Sequence, residues 1–430
     1  MSKKYLEVYE HYKHLIEEGA INKGDKLPSL IAASKELGVS KTTAENAYFQ
    51  LAADGYVISR EKSGFYVTSK VHRSKSTNEI KNVISTTNAK YNLSTIGDDS
   101  SSFRFDLWQR YLKNAIRKTD RMVTYGASQG EYELRQEICE YVRKRRSIYC
   151  SPDSIVIGAS TQSLLMILLP LLKTNGGVTA SVPAKGFDRY AHIFRSHDIN
   201  VDIRRKESDI IYVSPSHMTM WGEVMSIKRR YEILEHSRSG HLIIEDDYQN
   251  EFNFAKKVCP SIYSLAGGEH VVYIDSFSRL LLPSIRISFM IIPSDLLPLY
   301  KEVAEFYDQT ASKTEQLALA SYIRDGHLYR HIKKLRKTYA NKRSVLSSIL
   351  TKLTDNTTLK IMTGDCGTEM CIIGSDSDIT SLQNRLKDIG ITCQERQDNN
   401  NSILLFSCGI ISSENLDELY QILKNGRKLI

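Results

Sequence analysis

The stretch VVYIDSFSRLLLPSIRISFMII, residues 271–292, consists of two aliphatic runs that enclose a polar segment. Short aliphatic runs without polar alternation are typical of strands that are buried on both faces of a sheet. Runs of the same kind recur between longer amphipathic segments, at residues 154–157, 177–181, 210–213 and 241–244. This alternation predicts a large α/β domain with a mostly parallel sheet.

The size and composition of the chain indicate a globular protein with several domains. It has 430 residues, of which 41% are hydrophobic and 25% charged, and this length allows two or three domains. No run approaches the ~18 to 20 apolar residues that a membrane span needs. The N-terminus lacks an apolar leader, and the seven cysteines are scattered without metal-binding spacing. We therefore expect a cytoplasmic protein with reduced thiols, no metal site and no membrane association.

The first 68 residues predict a small helical module followed by a hairpin. Residues 5–18 carry apolar side chains at spacings of three and four, which predicts a helix whose inward face contains Leu6, Tyr9, Tyr12, Leu15 and Ile16. A second helix is predicted over 31–37, and a third over 41–54 with Ser40 as N-cap and with inward residues Ala44, Ala47, Tyr48 and Leu51. Two alternating runs, 56–59 and 64–67, predict a hairpin with a basic tip. The order of these elements predicts a winged helix-turn-helix.

Local motifs in this module resemble the GntR-type DNA-binding domain: LPS at 27–29, LGVSKTT at 37–43, GY at 55–56 and SG at 63–64. The resemblance implies that the helix after Ser40 enters the major groove and that the hairpin approaches the minor groove. The residues expected at double-stranded operator DNA are Ser29, Ser40, Lys41, Thr42, Thr43, Arg60, Lys62, Ser63 and Gly64. The net charge of +8 permits an anionic partner. One family contact is missing, because Ile31 stands where the family usually has an arginine.

The rest of the chain predicts a linker and two further domains. Residues 69–90 are polar and without a sustained period, as in a tether. Residues 91 to about 295 form the predicted large α/β domain, and residues from about 296 to 430 form a small α+β domain with strands near 360–362, 369–373 and 402–406. The expected fold is therefore multidomain. A winged helix-turn-helix over 1–68, mainly α with a β wing, precedes the linker and a two-part domain over 91–430.

Across residues 91–430 the order of motifs resembles the aspartate aminotransferase type of fold, in the form that is fused to a GntR-type module in MocR-type regulators. The strongest motif is IEDDYQNEF, residues 244–252. The resemblance implies that Asp246 pairs with the pyridinium nitrogen of pyridoxal phosphate and that Tyr248 bonds the ring hydroxyl. It implies further contacts to the ring and the phosphate, with Tyr125 reaching the phosphate of the partner subunit's cofactor: Tyr125, Ser160, Thr161, Phe187, Ser276, Ser278 and Arg286.

Three departures from the family pattern lie at the predicted reactive centre. Arg279 stands where the family has the lysine that forms a Schiff base with the cofactor, and a guanidinium with a pKa above ~12 offers no neutral amine. Residues 220–222 read MWG where the family has PTG. The family's arginine for a substrate α-carboxylate is expected close to Ile403, yet the chain has no arginine between Arg396 and Arg427.

These observations favour a MocR-type transcriptional regulator that is not an enzyme, binds operator DNA as a homodimer and senses a small molecule. Bound vitamin B6 would be held noncovalently, as pyridoxal phosphate or pyridoxamine phosphate, with Arg279 in the lysine's place. Another anionic metabolite, bound at the predicted phosphate contacts, is an open alternative. A second hypothesis is a pyridoxal-phosphate-dependent aminotransferase with a DNA-binding appendage. A third is a repressor whose large domain only dimerises.

Overall fold

The computed structural model describes residues 4–61, 63–68, 90–94, 97, 99–172, 177–183, 188–205, 207–237, 240–255, 259–355, 357–398 and 401–424. Contacts within the chain divide it into two units, Met1–Thr86 and Thr87–Ile430. The predicted linker over 69–90 lies outside the described residues apart from Lys90, so its boundaries stay a prediction.

The first unit contains three helices and a hairpin. Its elements are α1 (Lys4–Glu17), α2 (Leu30–Glu36), α3 (Lys41–Ala53), β1 (Val57–Arg60) and β2 (Gly64–Val67), and the two strands pair antiparallel. The predicted inward face of α3 is confirmed, since its four apolar residues are all buried. The prediction for α1 was wrong at Leu6, which is 44% exposed. The buried residues of α1 are Val8 and the predicted Tyr9, Tyr12 and Ile16.

The second unit alternates helices and strands, as the aliphatic runs predict. In chain order its elements are β3 (Tyr91–Asn92), α4 (Phe105–Ile116), α5 (Thr119–Met122), α6 (Tyr132–Arg146), β4 (Ile155–Gly158), α7 (Thr161–Leu171), β5 (Thr179–Val182), α8 (Asp188–Arg195), β6 (Asn200–Ile203), β7 (Ile210–Val213), α9 (Ile227–Ser237), β8 (Leu242–Asp246), α10 (Ile262–Ala266), β9 (Val271–Ser276), β10 (Ser288–Ile291), α11 (Leu297–Val303), α12 (Lys313–Arg324), α13 (His327–Thr354), β11 (Lys360–Thr363), β12 (Glu369–Gly374), α14 (Asp376–Asp388), β13 (Ile391–Thr392), β14 (Gln394–Asp398), β15 (Asn401–Ser407) and α15 (Ser413–Lys424).

A seven-stranded sheet forms the centre of this unit, in the order β4-β10-β9-β8-β7-β5-β6. Strand β10 runs antiparallel to both of its neighbours, and the other neighbouring strands are parallel. In β7, β8, β9 and β10 alternate residues face two separate apolar cores, as Ile243 and Ile244 do. Burial on both faces explains why these strands read as continuous aliphatic runs.

A smaller antiparallel sheet, β11-β12-β15-β14, forms a third core with α14, α15 and the end of α13. The expected boundary near residue 295 was wrong, because α12 and the first half of α13 pack in the large-domain core, and the small-domain core begins at Leu346. Residues 91–93 were also misplaced. Strand β3 pairs with β13, and Tyr91 and Leu93 lie in the small-domain core. A helix of 28 residues, α13, thus serves both domains.

Candidate functional site

The predicted recognition surface lies at the start of α3. Ser40 is the N-cap of this helix, and its Oγ accepts the Thr43 N–H at 3.1 Å. Lys41 and Thr42, in the first turn, are exposed. Ser29 caps α2 in the same way and accepts the Ala32 N–H at 3.2 Å. Both serines therefore stabilise helix starts while Lys41 and Thr42 face outward, and the DNA contacts of all four stay predictions.

The hairpin is organised around Tyr66. The Arg60 guanidinium lies 4.4 Å from the centre of the Tyr66 ring, and Ser63 Oγ lies 2.7 Å from the Tyr66 hydroxyl. Gly64 has a φ of +107°, a conformation that a side chain would strain. Lys62 lies outside the described residues. The hairpin therefore holds Arg60 and Ser63 in fixed positions on an aromatic support.

In the second unit Asp246 ends β8 at the carboxyl edge of the parallel strands, where such sheets bind ligands. Its Oδ2 accepts the Tyr212 hydroxyl at 2.5 Å, whereas its buried Oδ1 makes no hydrogen bond within the described part of the chain. Burial raises the pKa of Asp246 to about 6, while the hydroxyls of Tyr212 and Tyr190 act to lower it. The carboxylate thus has one buried oxygen that could bind a protonated nitrogen.

A buried polar network that the sequence did not reveal supports this strand end. Asp247 lies 2.6 Å from the buried Arg146 of α6 and accepts the hydroxyls of Ser216 at 2.5 Å and Tyr273 at 3.0 Å. Glu251 accepts the hydroxyl of Tyr141, which is also in α6. The sequence signal for such a network was the presence of several carboxylates in one buried segment, because buried carboxylates need hydrogen-bond or charge partners. The positions of those partners along the chain could not be read from the pattern.

Arg279 lies in the connection between β9 and β10, and its charge faces the small domain. Its Nη2 is 3.7 Å from Oε1 of Glu369, the buried first residue of β12. Glu369 also accepts the Thr368 N–H at 2.8 Å and lies 3.8 Å from His217 Nε2. Burial lowers the pKa of His217, Glu369 acts to raise it, and Arg279 acts to lower it. The position predicted for a reactive amine therefore forms an ion pair between the two domains.

Tyr248 is the aromatic residue next to this ion pair. Its ring lies 4.9 Å from the ring of His217, centre to centre, with an angle of 37° between the planes. Burial raises the pKa of the Tyr248 hydroxyl, which therefore stays protonated and can donate a hydrogen bond. Contacts through His217 and Glu369 thus connect Tyr248 with Arg279, and Asp246 lies two residues before Tyr248 at the end of β8.

The segment 220–222, which contains the bulky Met220 and Trp221, packs on the small sheet. Met220 and Trp221 contact a buried apolar cluster that includes Ile403. Trp221 O accepts the Gly364 N–H at 2.8 Å, and Gly222 O accepts the Cys366 N–H at 3.0 Å. The position at which the family's carboxylate-binding arginine was expected is therefore an apolar contact between the domains.

The predicted phosphate cup begins at α7. Ser160 forms a capping box, in which its Oγ accepts the Ser163 N–H at 3.1 Å and Ser163 Oγ accepts the Ser160 N–H at 3.0 Å. The N–H and the oxygen of Ser160 are therefore occupied. Thr161, the first residue of the helix, is partly exposed. An anion at this helix end would meet the N–H groups of the turn that follows Ser160.

The other side of the cup contains two serines and an arginine. Ser276 Oγ accepts the hydroxyl of Ser288 at 3.0 Å and the N–H of Ser278 at 3.3 Å, so its own proton can be donated to a ligand. Ser278 Oγ donates to Ile285 O at 3.0 Å and is therefore used within the turn. Arg286 is exposed. Ser276 therefore has a proton available for a ligand, and the phosphate contact of Arg286 stays a prediction.

Two predicted residues lie apart from this cluster. Tyr125 is 100% exposed in the single chain, so its predicted contact with a partner subunit stays a prediction. Phe187 lies outside the described residues.

Another cavity, of about 590 Å³, opens between the ends of β5 and β7 and helix α9, and none of the described residues that were predicted to bind the cofactor lines it. Its floor is apolar, and its rim contains Arg204, Arg205 and Arg229. Arg205 and Arg229 are each paired with a neighbouring carboxylate, at 3.1 Å and 2.8 Å. We therefore take the Asp246 cluster, with its unpaired buried oxygen, as the candidate site.

The comparisons with known proteins agree with this architecture. Residues 4–67 match the model of bacterial regulatory proteins of the gntR family, and residues 99–396 match that of aminotransferase class I and II. The HTH-type transcriptional regulator YdeL of Bacillus subtilis is 34% identical, over 80% of this chain and 78% of its own length. The probable rhizopine catabolism regulatory protein MocR of Rhizobium meliloti is 26% identical, over 80% and 76%. The chain belongs to the MocR-type regulators.

As a MocR-type protein it is a DNA-binding transcriptional regulator with an aminotransferase-like domain. The pyridoxine biosynthesis regulator PdxR of Corynebacterium glutamicum is 26% identical, over 87% of this chain and 85% of its own length. An archaeal alanine:glyoxylate aminotransferase matches 78% of this chain and 91% of its own, with a TM-score of 0.67 and 18% identity, which establishes the fold alone. Within the described residues, no helix has the length and apolarity to cross a membrane, and no cluster of metal-ligating side chains is found.

Proposed function

We propose that this regulator binds a phosphorylated form of vitamin B6 noncovalently and uses its occupancy to control binding to operator DNA. The observation that supports this proposal is Arg279, which offers no neutral amine and is paired with Glu369 at 3.7 Å. A covalent link to the cofactor aldehyde needs a nucleophilic amine, so pyridoxamine phosphate suits this site at least as well as pyridoxal phosphate. The relative named for pyridoxine biosynthesis favours the same class of ligand.

The described residues fit the ring and the phosphate of this ligand. Asp246 Oδ1 is buried and has no hydrogen-bond partner among the described residues, which suits a protonated ring nitrogen, and Tyr248 would bond the ring hydroxyl. The first turn of α7, with Ser276 and Arg286, would hold the phosphate. When bound, a ring protonated at nitrogen acts as an electron sink. This chain's residues orient the ring and keep that proton in place.

Transamination is disfavoured at two points. The reactive amine is absent at position 279, and the place expected for a cation that binds a substrate carboxylate is occupied by Ile403 beneath Trp221. An amino acid would therefore find neither the proton shuttle nor the clamp that transamination requires. We propose that the domain is a sensor that has lost catalysis.

We further propose that the regulator acts as a homodimer that reads two half-sites of its operator. Tyr125 is 100% exposed, and Val123, two residues before it, is 82% exposed. A partner subunit would cover this surface, with Tyr125 reaching the partner's phosphate cup.

The test is calorimetric titration of pyridoxal phosphate and pyridoxamine phosphate into the full chain, with absorbance spectra of the same samples. We expect binding of both without a covalent adduct. Asp246→Asn should weaken binding roughly 10- to 100-fold, because a hydrogen bond between charged groups contributes about 1.5–3 kcal/mol. Asp417→Asn, an exposed carboxylate in α15, is the matched control and should bind normally. No binding of either vitamer, or turnover of an amino-acid panel, would contradict the proposal.

A further inference from the structure

Two of the seven cysteines lie side by side. Cys150 Sγ donates a hydrogen bond to Cys139 Sγ at 3.5 Å, and both side chains are partly buried. Cys139 lies in the middle of α6, and Cys150 lies in the loop that leads from α6 to β4. We propose that hydrogen peroxide oxidises this pair to an intramolecular disulfide, which makes it a redox modification site in the second unit.

The local backbone holds the two sulfur atoms together. Helix α6 ends at Ser147, whose φ of 54° turns the chain back, and the Ile148 N–H bonds to Val142 O at 3.3 Å. Beyond Cys150, Arg135 of the same helix donates to Pro152 O at 2.7 Å. The loop is thus fixed to α6 on both sides of Cys150. The two sulfur atoms, 3.5 Å apart, would have to approach to about 2.0 Å to form a disulfide bond.

The reaction balances with hydrogen peroxide as the oxidant. The Cys139 thiolate attacks one peroxide oxygen, which breaks the O–O bond, forms a sulfenic acid and, after protonation of the leaving hydroxide, releases water. The Cys150 sulfur, after loss of its proton, attacks the Cys139 sulfur and expels a second water. Overall, two thiols lose two protons and two electrons to one peroxide molecule. The hydrogen bond from Cys150 lowers the pKa of the Cys139 thiol, which supports its assignment as the first nucleophile.

Helix α6 connects the Cys139–Cys150 pair to the candidate ligand site. The same helix carries Tyr141 and Arg146, which hold Glu251 and Asp247 just beyond Asp246. A disulfide would fix the position of α6 relative to the loop before β4. Oxidation of this cysteine pair does not require bound vitamin B6.

The experiment treats the folded full chain with hydrogen peroxide and compares intact masses with those of the reduced protein. We expect a loss of the mass of two hydrogen atoms. Arg143 and Lys144 lie between the two cysteines, so trypsin should yield two peptides joined until reduction. In Cys150→Ser, Cys139 should stop at a sulfenic acid that dimedone traps. In the control Cys259→Ser, another partly buried cysteine, the linked peptides should still form.

Sulfinic or sulfonic products at Cys139 in the wild-type chain, without the linked peptides, would overturn the proposal. A wild-type chain that keeps both thiols at peroxide concentrations that oxidise Cys259 would do the same. A linked pair that survives in Cys139→Ser would show that other cysteines had formed the bond, and it too would refute the assignment.

Discussion

Replacing Arg279 with methionine should destabilise the second unit and should do so in a pH-dependent manner. The substitution keeps the length of the side chain but leaves the carboxylate of Glu369, 7% exposed, without its cation at 3.7 Å. Removing one partner of a fully buried ion pair costs ~3–5 kcal/mol. Because Arg279 is itself 28% exposed and Glu369 keeps the Thr368 N–H, we expect a smaller loss of about 1–3 kcal/mol in the free energy of unfolding.

The pKa of His217 determines whether the stability difference between the wild type and Arg279→Met grows or shrinks as the pH falls. Its pKa in the folded wild-type protein is lowered from 6.5, so wild-type stability falls as the pH falls through 6.5 toward that lower value. Removing Arg279 takes away a positive neighbour, which raises the His217 pKa and reduces this loss. Protonated His217 would also supply a cation 3.8 Å from Glu369. The difference in the free energy of unfolding between the wild type and the variant should therefore be largest at pH 8 and should become smaller below about pH 6.5.

The assay is urea unfolding followed by tryptophan fluorescence. Both tryptophans of the chain, Trp108 and Trp221, belong to the second unit, so the signal reports that unit. Arg286→Met, at an exposed position, is the matched control and should change little. The double variant Arg279→Met with Glu369→Gln should recover much of the loss. Equal stability of Arg279→Met and the wild type at pH 8, or a difference that is the same at pH 8 and pH 5.5, would refute the reasoning.

Three further predictions concern backbone geometry, DNA binding and the lost amine. Gly222→Ala should lower the melting temperature far more than Gly267→Ala, although both glycines have positive φ. The new methyl group would lie 1.8 Å from a carbonyl oxygen at position 222, whereas it has open space at position 267. Lys41→Ala should weaken operator binding across sequences and reduce the salt slope by about 1, whereas Lys228→Ala should leave a gel-shift titration unchanged. Arg279→Lys should allow covalent attachment of pyridoxal phosphate that borohydride traps, and a protein that binds the vitamer yet stays unlabelled would contradict the predicted geometry.

The sequence predicted those parts of the fold that depend on local pattern. Strands β7 and β8 were found because both of their faces are buried, and α3 was found because its inward face and its N-cap are close together in sequence. Strand β6 was missed because this edge strand is polar and partly exposed, and its residues do not form an aliphatic run. The domain boundary was misplaced because one continuous helix, α13, packs in both cores.

The candidate site was predicted in part. Asp246 ends β8, Tyr248 follows it and Arg279 follows the parallel strand β9, so the three residues lie at the same edge of the sheet, and their roles toward a ligand stay predictions. The partners of these residues were not predicted. Arg146 and Glu369 reach the site from elements distant in sequence, and nothing in their local pattern marks them as partners. The only indication that such partners exist was the general rule that buried charges require compensating groups.

The close approach of residues 222 and 364 constrains how this chain can evolve. A methyl group on Gly364 would lie 2.0 Å from the backbone of Gly222, and one on Gly222 would lie 1.8 Å from Cys366 O. Neither glycine can be exchanged alone while Trp221 stays packed on the small sheet. Descendants should therefore retain both glycines as long as these two backbone segments stay in contact.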